Sequence, residues 1–124
     1  MRQRIAVIED AREILTLIHD ILTDEGYEVM PFTSPVPALE AMTRERPDLI
    51  ILDCIFNQAY SGRWVLRMLK SNLETAHIPI ILCTAAVPLP EDVAAYIANH
   101  QVAFLPKPFS IDDLLGLVEQ LTQR

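Results

Sequence analysis

The sequence is short of cysteine, of positive charge and of long apolar runs, and each shortage removes a class of protein. Cysteine occurs only at Cys54 and Cys83, each inside an apolar, strand-like run. A secreted domain of this size stapled by disulfides would carry more, and a zinc site would need clustered Cys and His spacing. Two buried free thiols in a reducing cytosol are therefore expected, and with them a cytoplasmic location. No apolar run approaches the roughly 20 residues that span a bilayer. The stretch after Met1-Arg2-Gln3-Arg4 is short and is broken by Glu9-Asp10, so it does not read as a signal peptide, and no membrane association is expected. Ten Lys and Arg stand against 17 Asp and Glu, a net charge of −7. Such a surface repels a phosphate backbone, so no nucleic-acid binding is expected of this domain. The three histidines, His19, His77 and His100, have no second histidine or cysteine at ligand spacing and read as surface residues. Internal repeats, low-complexity tracts and linkers are also missing, and 124 residues suit one domain, 1–124, with one proper core.

What is present is a strict alternation of short β-rich runs with helical periods. Ile5-Ala6-Val7-Ile8 ends at an acidic pair. A helix follows from about Ala11 to Glu25, with Ile14, Leu15, Ile18, Ile21 and Leu22 on one stripe and Gly26 at the position after its end. Tyr27–Phe32 reads as a second strand. Ser34-Pro35 is a helix start, an N-cap hydroxyl followed by proline in the first turn, for a helix ending before Pro47. Asp48–Asp53 is an apolar strand between two aspartates, the pattern of a strand covered on both faces. Gly62 opens a third helix, Ile78–Thr84 is a fourth strand, and Pro90 starts a helix over Glu91–Asn99. Val102–Leu105 is a fifth strand, and Ser110 with Asp113 three residues on opens a last helix to about Gln123. Five β–α units predict an α/β fold with a parallel sheet and right-handed crossovers.

Chemistry in such sheets gathers at the carboxyl ends of the strands. Glu9 and Asp10 end the first strand, Asp53 the third and Thr84 the fourth, while Lys107 follows the fifth. Neighbouring carboxylates repel one another and raise each other's pKa unless a cation neutralises them. A hard divalent ion with oxygen ligands fits them, and Mg²⁺ fits a site that also handles phosphate. Lys107 can offer charge to phosphate oxygens and Thr84 a hydrogen bond. Asp53 is the candidate nucleophile, since a carboxylate attacking phosphorus gives an aspartyl-phosphate. Each residue alone has a plainer reading: Asp53 as a turn former, Glu9-Asp10 as a helix cap, Thr84 as a strand end, Lys107-Pro108 as a surface turn. Their combination at the ends of successive strands is what carries the functional one.

IAVIED at 5–10, DLIILD at 48–53, IPIILCTA at 78–85 and AFLPKPF at 103–109 together resemble the receiver domain of bacterial two-component response regulators, from Arg4 to about Leu121. The resemblance implies a doubly wound, flavodoxin-like (βα)5 sandwich with a five-stranded parallel sheet in the order 2-1-3-4-5. It implies that Asp53 accepts phosphate from a histidine kinase or histidine phosphotransfer protein. Mg²⁺ would be held by Asp10 directly, by Glu9 through water, by Asp53 and by the backbone carbonyl of Ile55. Lys107 would contact the acyl phosphate, with a cis bond to Pro108. Thr84 and Phe104 would be the switch pair, with Ala85 the small residue beside the site. The face formed by the fourth helix, fifth strand and fifth helix would bind a downstream protein or a dimer partner. The implied activity is a signalling switch that catalyses only its own phosphorylation and slow dephosphorylation.

The chain departs from the resembled pattern after Asp53, where Asn57 and Ser61 replace the usual proline and glycine and Gly62 comes one residue late. That loop is the one support for an alternative, a phosphorylation-independent interaction module. An aspartate-nucleophile phosphatase would place a second Asp two residues after the first, where this chain has Ile55. A flavodoxin would follow its first strand with a Ser/Thr/Gly phosphate loop, where this chain has Glu9-Asp10.

Overall fold

A computed structural model describes residues 2–53, 62–85 and 89–122. Within them strands and helices alternate as β1 (Arg4–Glu9), α1 (Arg12–Asp24), β2 (Glu28–Phe32), α2 (Pro35–Glu45), β3 (Leu49–Asp53), α3 (Gly62–Ser71), β4 (Ile80–Thr84), α4 (Glu91–Asn99), β5 (Ala103–Pro106) and α5 (Ile111–Thr122). The strands form one sheet, ordered β2-β1-β3-β4-β5, with every neighbouring pair parallel. This is the α/β architecture that the sequence pattern predicted and the strand order that the resemblance implied.

Alternation along each strand sends successive side chains to opposite faces. Ala6, Ile8, Ile50, Leu52, Ile80 and Leu82 pack with residues of α2, α3 and α4, among them Met42, Leu66, Leu69 and Val93. Ile5, Val7, Leu49, Ile51, Ile81 and Cys83 pack on the other face with Ile18 and Leu22 of α1 and Leu114 and Val118 of α5. The sheet is thus covered on both faces, which is why the central strands read as unbroken apolar runs. Pro31 and Pro106 lie in β2 and β5, the two edge strands, where a missing ladder donor is tolerated. Cys83 is buried; Cys54 lies outside the described residues.

Element boundaries shift from the sequence expectation where a backbone N–H is used by the preceding turn. The Tyr27 and Gly26 N–H groups donate to the Leu22 and Thr23 carbonyls at 3.1 and 3.0 Å, closing α1 in a Schellman motif with Gly26 at φ 91°. Tyr27 is therefore spent before β2 begins. Likewise the Ile78 N–H donates to the Thr75 carbonyl, so β4 starts at Ile80, not Ile78. The Val102 N–H donates to the Ile97 carbonyl at the end of α4, so β5 starts at Ala103. Ser34 does sit at the N-cap of α2, but its hydroxyl makes no capping hydrogen bond; Pro35 in the first turn leaves one fewer orphan donor to cap. Ser110 behaves as expected, its Oγ accepting the Asp113 N–H at 3.0 Å.

Candidate functional site

Because all five strands are parallel, their carboxyl ends share one rim, and the register decides which residues meet there. Glu9 is opposite Asp53 and Asp53 is opposite Cys83, one position short of Thr84, which is itself opposite Pro106. Glu9, Asp53 and Thr84 thus close three adjacent strands. The Lys107 N–H donates to the Thr84 carbonyl at 2.9 Å, which extends the β4–β5 pairing by one rung and holds the lysine at the same rim. The Lys107–Pro108 peptide bond is cis.

Glu9 is 2% exposed and both of its oxygens are engaged. Oε2 accepts the Ala11 N–H at 2.9 Å, tying the carboxylate to the entry of α1, where Ala11 itself has no capping side chain. Oε1 accepts from Lys107 Nζ at 3.3 Å across 98 residues of chain. The helix-cap reading of Glu9 is therefore met, and the same carboxylate reaches Lys107 at the rim. A buried carboxylate with a partly buried ammonium partner forms a charge-assisted pair, and losing either partner strands the other.

Asp10, by contrast, is exposed. Hydrogen bonding to Glu9, then burial, then repulsion from the Glu9 charge raise its pKa, against a smaller lowering by Lys107. Two acids thus stand beside one lysine, so the rim carries a net negative charge. An all-oxygen donor set with surplus anionic charge suits a hard divalent cation better than a soft or nitrogen-seeking one.

Thr84 is buried at the end of β4. Phe104 is half-buried and packs against the core on the α2–α3–α4 side. Since Leu82 is opposite Phe104 and Thr84 opposite Pro106, the threonine is one diagonal step from the phenylalanine on the same face of the sheet. Ala85 is exposed and, with Ile14, Leu17, Lys107, Pro108 and Phe109, lines an open groove of about 380 Å³ beside the rim. The structure describes Asp53 through its backbone. The Ile55 carbonyl and the loop Phe56–Ser61 lie outside the described residues.

The structure therefore brings Glu9, Asp10, Thr84, Lys107 and the backbone of Asp53 to one rim. Two features were not read from the sequence. One is the Glu9–Lys107 pair, which no local spacing signals. The other is the groove, assembled from α1 and the segment after β5.

A profile of the response regulator receiver domain matches residues 5–119. The chain belongs to that family. Among its relatives is the response regulator MprA of Mycobacterium leprae, 33% identical over 121 residues, which cover 98% of this chain and 51% of the relative. The receiver thus spans about half the length of the curated relatives it matches. A response regulator receiver domain protein from Clostridium thermocellum is 28% identical with a TM-score of 0.81, over 98% of this chain and 95% of that one. The receiver domain of sensor histidine kinase PA1611 from Pseudomonas aeruginosa PAO1 is 23% identical with a TM-score of 0.85 and full coverage of both chains; its fold is shared, and a magnesium ion is coordinated in that protein's active site cleft. No helix among the described residues is long and apolar enough to cross a membrane.

Proposed function

We propose that this receiver takes a phosphoryl group onto Asp53 from a histidine kinase or histidine phosphotransfer protein and changes a partner-binding surface in response. The observation that carries the reading is the register, which closes adjacent strands with Glu9, Asp53 and Thr84 and sets Lys107 beside them. In the transfer, an Asp53 carboxylate oxygen attacks phosphorus, the bond from phosphorus to the donor imidazole breaks, and the imidazole leaves with that electron pair. Little other covalent chemistry is needed, so positioning and charge compensation dominate. Asp10 and Asp53, the Ile55 carbonyl and, through water, Glu9 are the groups to hold Mg²⁺, which when bound neutralises charge on the transferring phosphoryl oxygens. Glu9, with both oxygens engaged by the Ala11 N–H and Lys107, suits the indirect role. Lys107 offers its ammonium to the phosphoryl oxygens, and the Thr84 hydroxyl offers a hydrogen bond, leaving room for Phe104 to turn inward.

Phosphorylation adds about 1.5 to 2 negative charges by analogy with other phosphorylated side chains. That charge biases a pre-existing equilibrium between two arrangements. The output surface is the α4–β5–α5 face, where Ala94, Ala95 and Ile111 are exposed. The protein is a switch acting on itself and not a turnover enzyme, with residues 1–124 forming one domain. A cytoplasmic location is supported by its family.

The test is intact-mass analysis after treatment with acetyl phosphate and Mg²⁺. Wild type gains one phosphoryl group and Asp53→Ala gains none; Lys107→Ala and Asp10→Asn label at least tenfold more slowly. No label on wild type, or equal label on Asp53→Ala, overturns the reading in favour of a phosphorylation-independent interaction module.

A further inference from the structure

The helix α4 is held to the body of the receiver by little. Only Val93 and Ile97 are buried along its nine residues, with Tyr96 partly buried against the same core. Its first turn carries Glu91 and Asp92. Across the crevice, Arg63 in the first turn of α3 places Nε 2.9 Å from Asp92 Oδ2 and a terminal guanidinium nitrogen 3.3 Å from Asp92 Oδ1. Leu66, Arg67, Val93 and Tyr96 line the rest of that crevice.

This contact links the two helices that follow Asp53 and Thr84 in the chain. Arg63 lies ten residues after Asp53, and Asp92 lies eight after Thr84. The Nε atom of Arg63 is shielded from solvent and makes no hydrogen bond, so at that nitrogen Asp92 compensates charge without satisfying the donor. A pair of that kind holds without being optimal, and a small displacement of either helix replaces it with water. Its energy is comparable to that of a surface ion pair, small beside a core and enough to bias a two-state equilibrium a few-fold.

We infer that the Arg63–Asp92 pair is a latch that holds α4 in the resting arrangement and so opposes the phosphorylated one. The part that concerns opposition rests on the Asp53 reading; the part that concerns α4 does not. By linkage, a contact made only in the resting state weakens binding of any ligand that prefers the other state by the strength of that contact.

The experiment is a double-mutant cycle on the full chain with Arg63→Met, Asp92→Asn and the double variant, reading two quantities. In hydrogen exchange, amides of α4 exchange about 1.5- to 5-fold faster in each single variant, and the double variant is no faster than either. Single variants that exchange like wild type, or effects that add in the double, overturn the latch. In titration with beryllium fluoride and Mg²⁺, a mimic of the carboxyl phosphate, affinity rises by the same about 1.5- to 5-fold in each single variant. Unchanged affinity with faster α4 exchange overturns the coupling to the switch. Failure of wild type to bind the mimic counts against the Asp53 reading instead, and the exchange cycle still decides whether the pair anchors α4.

Discussion

Glu9 and Asp10 are adjacent acids with opposite fates. Glu9 turns inward and finds the Ala11 N–H and the Lys107 ammonium; Asp10 stays at the surface, its pKa raised by a hydrogen bond to Glu9, by burial and by repulsion from the Glu9 charge. Because Asp10 is raised above its ordinary value of 3.8, the folded state binds its proton more tightly than the unfolded chain does. Its contribution to stability is then fully present below that ordinary value and is lost as pH rises through the raised one. Asp10→Asn is accordingly more thermostable than wild type in chelator at neutral pH, with the difference closing as pH falls toward 4. Mg²⁺ raises the melting temperature of wild type and leaves the variant unmoved; differential scanning calorimetry reads both. Glu45 runs the other way. A hydrogen bond from Arg4, helped by Arg44, lowers its pKa, so its contribution is present above the ordinary carboxylate value and is lost as pH falls through the lowered one. In Glu45→Gln the acid limb of the stability–pH curve is shallower, as equilibrium urea melts across pH 3 to 6 will show. The positions of Asp10 and Lys107 at the rim were legible as residue types at strand ends. The Glu9–Lys107 contact was not, since 98 residues separate the partners and only the sheet closes that distance.

Among the elements, the helices end on different devices, and only some are written in the sequence. Gly26 after α1 signals its Schellman motif directly. The end of α4 does not, because Gln101 takes the left-handed conformation at φ 56° without being glycine. Within α5, Gly116 is exposed in an ordinary helical position, and a β-carbon added there meets nothing within 4 Å. Glycine in a helix interior costs about 0.5–1 kcal/mol relative to alanine, so Gly116→Ala is stabilised by about that amount. The urea midpoint checks this, and an unchanged or lower midpoint contradicts it. Lys70 shows the reverse case, a charged residue used as a connector. Its ammonium donates to the carbonyls of Ala76 and Ile78 at 3.0 and 3.4 Å, and burial lowers its pKa. Nothing in the run Arg67-Met68-Leu69-Lys70 announces that role, because the loop it closes returns to it only after the chain has turned.

At the scale of the whole molecule, the sheet separates two apolar layers that must both be filled. Leu82 is fully buried in the layer under α2, α3 and α4, and Leu82→Ala should cost about 2–5 kcal/mol, a large share of the about 5–15 kcal/mol that holds a typical domain folded. Leu73, equally apolar by type, is 93% exposed, and Leu73→Ala should change stability by less than about 0.5 kcal/mol. Chemical denaturation of the two variants side by side tests the contrast. Sequence alone distinguishes these leucines only through their settings, one inside an apolar strand and one between Asn72 and Glu74. It determined the α/β class, the parallel sheet and the identity of the rim residues, because strand alternation and helical period are local and survive without tertiary contacts. The strand order came from resemblance, since a period carries no information about which strand lies beside which. Only the tertiary structure decided that Glu9 faces Lys107, that Asp10 stays exposed while Glu9 is buried, that the backbone of Asp53 stands between Glu9 and Cys83, and that α4 is tied to α3 through Arg63 and Asp92. Each of those depends on register and distance across the sheet, which the burial of two opposite faces fixes for all strands at once.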